Sequence, residues 1–251
     1  MRTELNLRYG KGEASFLDIY LPDTDVFSVF VYFHGGGLEK GDKSVGSVFA
    51  DILTEKGIAL VSANYSMYPK AEYPQFICDA AEAVAWVYNS IGKYGRCKKI
   101  YVGGSSAGAY LSMMLCFCNG YLGAYGIDPS ALGGFLHDAG QPTAHFRVLK
   151  ERGTDPRRVI VDESAPLYHI CADKNYPPML FVVSDNDMQG RFEQTMLVVS
   201  TLKHFGYSES KVFLKIMNGT HCHYVRKLDG NNNSIFAGMI CDFIDSAEKM
   251  I

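Results

Sequence analysis

A serine inside a short glycine-flanked segment constrains this chain more than any other feature. Ser106 is the central residue of GSSAG at 104–108. A β-branched and aromatic run precedes it at 99–103, and a proline-free stretch rich in Ala, Leu and Met follows at 107–118. This pattern predicts a buried strand, a tight turn and a helix packed on a sheet. We therefore expect Ser106 to be a nucleophile on a strained strand-to-helix turn.

A second glycine-rich segment lies upstream. The sequence HGGG at 34–37 follows the continuously apolar run VFVYF at 29–33. Glycines placed directly after a strand leave backbone N–H groups bare, and such groups can face a developing oxyanion. Together with Ser106, this segment predicts a serine that attacks a carbonyl carbon.

The rest of the chain alternates between strand-like and helix-like segments. Further strands are predicted at 58–63, 178–183 and 211–216, and helices at 45–56, 74–91, 193–205 and 235–249. Strands that alternate with helices form a mostly parallel sheet covered on both faces, because right-handed crossovers place helices there. We therefore expect a single α/β domain over residues 1–251. From about 119 to 175 no strong strand is evident, so this segment is interpreted as a cap-like insertion over the strand ends that could form part of the substrate pocket.

Composition excludes several classes of partner. The formal charge is −3 and the pI is about 6.2, which gives no reason to expect nucleic acid or an anionic membrane surface as a partner. No apolar stretch approaches the roughly 20 residues that a membrane span needs, and the first residues lack the apolar core of a signal peptide. The seven cysteines show no framework spacing. Reduced thiols in a cytoplasmic protein are the simplest interpretation.

A serine nucleophile needs a base, and the base needs a carboxylate that fixes its tautomer. Two aspartates, Asp185 and Asp187, follow the predicted strand at 178–183. Asp187 is preferred as the acid because it lies further along the loop, which can reach back over the strand ends. Asp185 is then interpreted as a turn-capping residue.

Two histidines follow the last predicted strand, where the base is expected. Of these, His221 is preferred over His223, because residues separated by one position usually point in different directions. Histidine 34 is expected to order the glycine loop, and the other four histidines are interpreted as surface or packing residues. The His-Cys-His sequence at 221–223 could suggest zinc, but no nearby residues complete a tetrahedral site. We therefore expect neither a metal nor another cofactor.

These motifs resemble those of α/β-hydrolase carboxylesterases, from about residue 15 to the C-terminus. The chain looks most like the microbial hormone-sensitive-lipase-like and feruloyl/acetyl esterase groups. The segments that carry the likeness are 34–37, 64–69, 104–108, 184–187 and 218–221. The resemblance implies an oxyanion hole formed by the N–H groups of Gly36, Gly37 and Ala107, and it favours Asp187 as the acid. The sequence departs from the family pattern at two places. Ser66 stands where arginine is common, and Gly219 lies two residues before His221 rather than three.

The expected function is hydrolysis of a small-molecule ester through an acyl-enzyme. The preferred substrates are esters of small acyl groups such as acetyl, for example on esterified sugars. Feruloyl-type esters are the second choice. Two alternatives stay open. The same three residues serve amide hydrolases, such as an arylformamidase-like enzyme or a peptidase, and the same scaffold can carry a ligand-binding protein without catalysis.

Overall fold

The computed structural model describes residues 1–250, which contain an eight-stranded sheet. The strands are β1 Arg2–Arg8, β2 Phe16–Leu21, β3 Val26–Phe33, β4 Ile58–Ala63, β5 Arg96–Ser105, β6 Gly134–Asp138, β7 Met179–Ser184 and β8 Val212–Met217. Their order in the sheet is β1-β2-β4-β3-β5-β6-β7-β8. The two pairings β1–β2 and β2–β4 are antiparallel, and all the others are parallel. The predicted mostly parallel sheet is confirmed.

Within the described residues, seven α-helices accompany the sheet. They are α1 Ser47–Glu55, α2 Gln75–Ser90, α3 Ala107–Phe117, α4 Asn119–Gly123, α5 Phe146–Glu151, α6 Arg191–His204 and α7 Ile235–Glu248. Buried side chains of α2, α3 and α6 belong to one apolar core, whereas those of α1 and α7 belong to a second. The helices therefore cover both faces of the sheet, as the alternation of elements predicts. None of the helices within residues 1–250 is long and apolar enough to cross a membrane.

Strand β3 shows why the central strands are continuously apolar. Val29, Val31 and Phe33 face the first core, and the intervening Phe30 and Tyr32 face the second. Because side chains alternate along a strand, burial of both faces requires an apolar residue at every position. Strand β8, at the edge of the sheet, is instead largely exposed.

One expectation about the fold is wrong. The segment 119–175 shows no strong strand in its sequence and is predicted to be a cap-like insertion, but it includes β6, which pairs with β5 and β7 in the middle of the sheet. The strand is hidden in the sequence because it is short and its apolar run is only Phe135-Leu136, between a glycine and the polar pair His137-Asp138. Helix α4 precedes this strand, so a cap-like insertion over the strand ends can begin only after β6.

Candidate active site

The three side chains expected to cooperate lie at one edge of the sheet. Ser106 lies between β5 and α3, Asp187 in the loop after β7, and His221 in the loop after β8. These strands are parallel, so their carboxyl ends meet at the same edge. Residues far apart in the sequence are thereby brought together.

The turn at Ser106 has the strained geometry that its sequence predicts. Its backbone has φ 54° and ψ −111°, which residues with a side chain rarely adopt. A Cβ on Gly108 would lie 1.9 Å from the carbonyl oxygen of Phe33, and one on Gly104 would lie 2.5 Å from the backbone of Gly108. Both flanking glycines are therefore required for β3 and α3 to approach this closely. The Ser106 N–H donates to the carbonyl of Asp138, 2.7 Å away, which anchors the turn to β6.

Ser106, His221 and Asp187 form a continuous hydrogen-bonded chain. The Ser106 Oγ lies 2.9 Å from His221 Nε2, and His221 Nδ1 lies 2.5 Å from Asp187 Oδ1. An ionised carboxylate only accepts hydrogen bonds, so Nδ1 carries the proton and Nε2 is free to accept from the serine. The structure thus brings together the three residues selected from the sequence.

The carboxylate of Asp187 is held by its surroundings. Its side chain is fully buried and accepts hydrogen bonds from the N–H groups of Ser184 and Met188, at 3.2 Å and 2.7 Å. Burial raises the pKa of Asp187, but the hydrogen bond and charge of His221, together with these two N–H groups, leave it below its ordinary value. Asp187 is therefore ionised at neutral pH.

The two alternative residues have structural contacts instead. Asp185 accepts a hydrogen bond from the Gly219 N–H at 2.8 Å, so it fastens the loop that carries His221. The ring of His223 turns towards the carbonyl of Thr220, 2.7 Å from Nδ1. Between the histidines, Cys222 has a positive φ of 50°, and its Sγ lies 3.7 Å from His221 Nε2.

The glycine loop borders the serine on its other side. Gly36 and Gly37 have φ values of 127° and 67°, which side chains disfavour, and both residues line the same cleft as Ser106. Ala107 is the first residue of α3. Within residues 1–250, the N–H groups of Gly36, Gly37 and Ala107 have no hydrogen-bond acceptor. Three unengaged donors thus lie in the loop and the helix start that flank Ser106.

His34 stabilises this loop. Its ring stacks on Tyr65 with centroids 4.6 Å apart, and the Tyr65 hydroxyl donates to the His34 carbonyl at 2.8 Å. Burial lowers the pKa of His34, so the ring is neutral. Its contacts are those of a residue that orders the turn.

The serine, the histidine and the glycine loop open onto a cleft of about 810 Å³. Apolar side chains from several loops form part of its wall. They are Val45, Phe146, Met188 and Val225. Phe146 belongs to the segment between β6 and β7, and its ring lies against Gly37, 3.1 Å from where a Cβ would be. That segment therefore contributes directly to the cleft.

Metal ligands are not gathered at this site. In the described part of the chain, no three His, Cys, Asp or Glu side chains are grouped so that they could hold a metal ion.

Comparison with known proteins agrees with this architecture. Residues 17–125 match the family model described as BD-FAE. The whole fold is similar to a solved structure titled as a truncated form of a carbohydrate esterase from gut microbiota, with a TM-score of 0.78 and 19% identity. That superposition covers 99% of this chain and 97% of the other. The chain has the α/β-hydrolase fold.

Curated relatives of this chain have names with two kinds of activity. Kynurenine formamidase of Salmo salar is 31% identical over 137 residues, which cover 54% of this chain and 45% of the relative. The probable carboxylic ester hydrolase LipM of Mycobacterium tuberculosis is 29% identical over 223 residues, which cover 79% of this chain and 51% of the relative. The chain thus spans about half the length of these curated relatives.

One polar group beneath this site was missed in the sequence. Asp138, the last residue of β6, is fully buried, and its carboxyl accepts a hydrogen bond from the Tyr224 hydroxyl. Burial raises the pKa of Asp138 to about 6, and the hydrogen bond from Tyr224 opposes that rise. The available signal was an aspartate two residues after the apolar pair Phe135-Leu136, just as Asp185 lies two residues after the apolar run that ends at Val183. It was overlooked because β6 was not recognised.

Proposed function

We propose that this protein is a serine carboxylesterase that hydrolyses short-chain esters, acetyl esters first, through an acyl-enzyme. The observation that carries the proposal is the hydrogen-bonded chain from Ser106 through His221 to Asp187, which opens onto a cleft bordered by Gly36 and Gly37. The catalytic roles assigned to these residues are part of the proposal.

In the acylation step, His221 Nε2 accepts the proton of the Ser106 hydroxyl as Oγ attacks the ester carbonyl carbon. The carbonyl π bond opens and its oxygen becomes an oxyanion. Asp187 stabilises the imidazolium through its hydrogen bond to Nδ1. When the tetrahedral intermediate collapses, His221 gives the proton to the leaving alcohol, and the acyl group remains on Ser106.

The oxyanion is assigned to the N–H groups of Gly36, Gly37 and Ala107. Each such donor typically lowers the barrier by roughly 2.7–4 kcal/mol, because it points at charge that exists only in the transition state. Ala107 is also the first residue of an 11-residue helix, whose N-terminal partial positive charge acts in the same direction. Water activated by His221 then attacks the acyl carbon, which releases the acid and restores Ser106.

One observation supports a small acyl group, and a second supports an esterified sugar as the substrate. The ring of Phe146 lies against Gly37 and limits the space next to the assigned oxyanion donors. A neighbour in fold is titled a carbohydrate esterase. Feruloyl-type esters are the second choice among esters, because a bulky aromatic acyl group would have to pass Phe146.

Amide hydrolysis is the second candidate function, and one observation favours it. Relatives named kynurenine formamidase are 31% identical to this chain over its aligned half. A formamide presents the smallest possible acyl group, which agrees with a cleft narrowed at Phe146. The chemistry differs in the leaving group, because an amine must be protonated by His221 before it departs.

A ligand-binding role without catalysis is the least supported. A scaffold that only binds has no need for a serine in a strained conformation, and strain of this kind costs about 1–3 kcal/mol. Here the strained serine, the imidazole and the buried carboxylate are aligned at hydrogen-bonding distance.

A substrate panel tests the proposal. We expect 4-nitrophenyl acetate and acetylated sugars to be hydrolysed with a higher kcat/KM than 4-nitrophenyl octanoate, methyl ferulate and an N-formyl arylamine. The kcat of Ser106→Ala should be at least about a thousandfold lower than that of wild type, whereas its circular dichroism spectrum and Tm should be unchanged. A preference for the formamide would favour the second candidate. Full esterase activity in Ser106→Ala would refute the catalytic assignment.

A further inference from the structure

Two cations at the mouth of the catalytic cleft lack an anionic partner. Lys40 and Arg226 line the same cleft as Ser106, and both residues are exposed. Neither side chain forms an ion pair with any group of residues 1–250. Their charges are therefore not neutralised by any acidic group of the described residues.

Each cation is connected to one side of the proposed machinery. The Lys40 N–H donates to the carbonyl of Gly36 at 3.2 Å, and its Cγ lies 3.3 Å from where a Cβ on Gly36 would be. The lysine stem thus lies along the glycine loop. Arg226 belongs to the turn that begins at His221, on the other side of the serine.

The negative charge near the cleft is already engaged. Glu39 is the one acidic residue among the described residues that line the cleft, and it forms an ion pair with Arg147. The Arg147 side chain is buried and lies over the ring of Tyr68, 4.4 Å from its centroid, which keeps the guanidinium directed at Glu39. The mouth of the cleft is therefore positive in a chain whose formal net charge is −3.

We infer that the positive cleft mouth, with Lys40 on one side of the serine and Arg226 on the other, acts as an anion subsite, so that the natural substrate is an ester or formamide that also carries a carboxylate. This inference rests on the proposed hydrolase function and specifies its substrate class. The carboxylate can be on the acyl side or on the leaving-group side of the scissile bond. A positive cleft mouth raises the local concentration of an anionic substrate and binds it in the ground state and the transition state.

Two matched pairs of esters separate these positions. The acyl-side pair is 4-nitrophenyl hydrogen glutarate and its neutral methyl ester. The leaving-group pair is 4-acetoxybenzoate and its methyl ester. For each pair, the ratio of kcat/KM for the anionic member to that for the neutral member is measured at low ionic strength and again at high salt.

In the Lys40→Gln/Arg226→Gln double variant, we expect this ratio to fall about fivefold to tenfold for at least one pair, since two partly screened charge interactions are removed. High salt should lower the wild-type ratio in the same direction. The matched control is Arg96→Gln/Lys98→Gln, which removes the same charge from exposed positions at the opposite end of β5 and should leave the ratio at its wild-type value.

The outcomes are distinguishable. If wild type hydrolyses the neutral esters but neither ratio changes in the Lys40/Arg226 variant, the anion subsite is refuted and the proposed function stands. An equal fall of the ratio in the Arg96/Lys98 control would also refute it, because the effect would then come from net charge alone. If wild type hydrolyses neither esters nor formamides, the proposed function fails and the anion subsite fails with it.

Discussion

Two aspartates near the end of β7 have different tasks although only one residue separates them. The fully buried Asp187 carboxylate orients the imidazole of His221, whereas Asp185 accepts from the backbone of Gly219. One contact controls which tautomer faces Ser106, and the other controls the path of the loop. Substitutions at the two positions should therefore affect different properties.

Replacing Asp187 by Asn should lower kcat by roughly 10³–10⁴, because the amide cannot fix Nδ1–H and stabilise the imidazolium. The matched change Asp185→Asn leaves Asp187 and its hydrogen bond to His221 intact. It should lower kcat less than about tenfold and cost about 1 kcal/mol of unfolding free energy through the weakened bond to Gly219. Steady-state kinetics and urea denaturation measure the two effects. Equal losses of kcat in both variants would contradict the assignment of Asp187 as the acid.

The buried carboxyl of Asp138 should make stability depend on pH. Its pKa is raised by burial from 3.8 to about 6, so the proton is bound more tightly in the folded state. The resulting stabilisation is fully present below the unfolded pKa and is lost as the pH rises through about 6. Ionisation of Asp138 therefore works against folding at neutral pH.

The comparison with Asp138→Asn isolates this effect. As the pH is raised from about 4 to about 7, the unfolding free energy of the variant should increase by about 2 kcal/mol relative to that of wild type, since Asn does not ionise. Chemical denaturation at a series of pH values measures the difference, and the other carboxyl groups cancel in the subtraction. A difference that is constant with pH would show that Asp138 titrates normally.

At the scale of elements, the close approach of β3, β5 and α3 builds the turn at Ser106. The contact is between backbones, because Gly108 lies directly against the carbonyl of Phe33. Gly108→Ala should therefore lose about 3 kcal/mol of unfolding free energy or more, by forcing β3 and α3 apart. Gly238→Ala is the matched control, since Gly238 lies in α7 and a Cβ there would have no other atom within 4 Å.

The control substitution should raise the unfolding free energy by about 0.5–1 kcal/mol through helix propensity. Urea denaturation of both variants gives the comparison. If Gly108→Ala were as stable as wild type, the close packing at the turn would not be a requirement of the fold.

The elements differ in how far the sequence predicts them. Strands β3 and β4 are buried on both faces, so they are continuously apolar and easily recognised. Strand β6 is equally buried, but His137 satisfies one ring nitrogen with Ser112 Oγ at 2.8 Å, and Asp138 bonds to Tyr224. Those tertiary contacts allow polar residues inside the sheet. The contacts cannot be predicted from the local sequence, because their partners Ser112 and Tyr224 are distant along the chain.

The residues of the site also differ in how far the local sequence predicts them. Ser106 is marked by its own neighbours, because the tight turn needs glycine at 104 and 108. The selection of Asp187 and His221 needed the order of strands as well as local sequence. The cleft wall at Phe146 and the cations at Lys40 and Arg226 depend on how distant loops converge, and local periodicity carries no information about that convergence.

At the scale of the whole molecule, the segment between β6 and β7 is packed as part of the protein core. Val148 and Leu167 from this segment belong to the same apolar core as α2 and α3. The ion pair of Arg147 with Glu39 also ties it to the glycine loop. These contacts are expected of a fixed cleft wall rather than of a lid that opens independently.

Hydrogen exchange tests whether this segment opens separately. The amides of Leu149 and Leu167 donate to His145 and Pro142 at 3.0 Å and 2.9 Å. Their opening free energies should lie within about 2 kcal/mol of those in β5, because both regions open only with the core. Exchange with opening free energies more than about 4 kcal/mol below those of β5 would contradict this and indicate an independent lid.

The most direct measurement asks whether Ser106 is a nucleophile activated by His221. The protein is treated with a fluorophosphonate, and the site and rate of labelling are determined by mass spectrometry of the intact chain and its peptides. We predict one adduct, on Ser106, that persists in Ser105→Ala, is absent in Ser106→Ala and forms much more slowly in His221→Gln. No adduct on the folded wild-type protein, or an adduct that survives Ser106→Ala, would contradict the central claim.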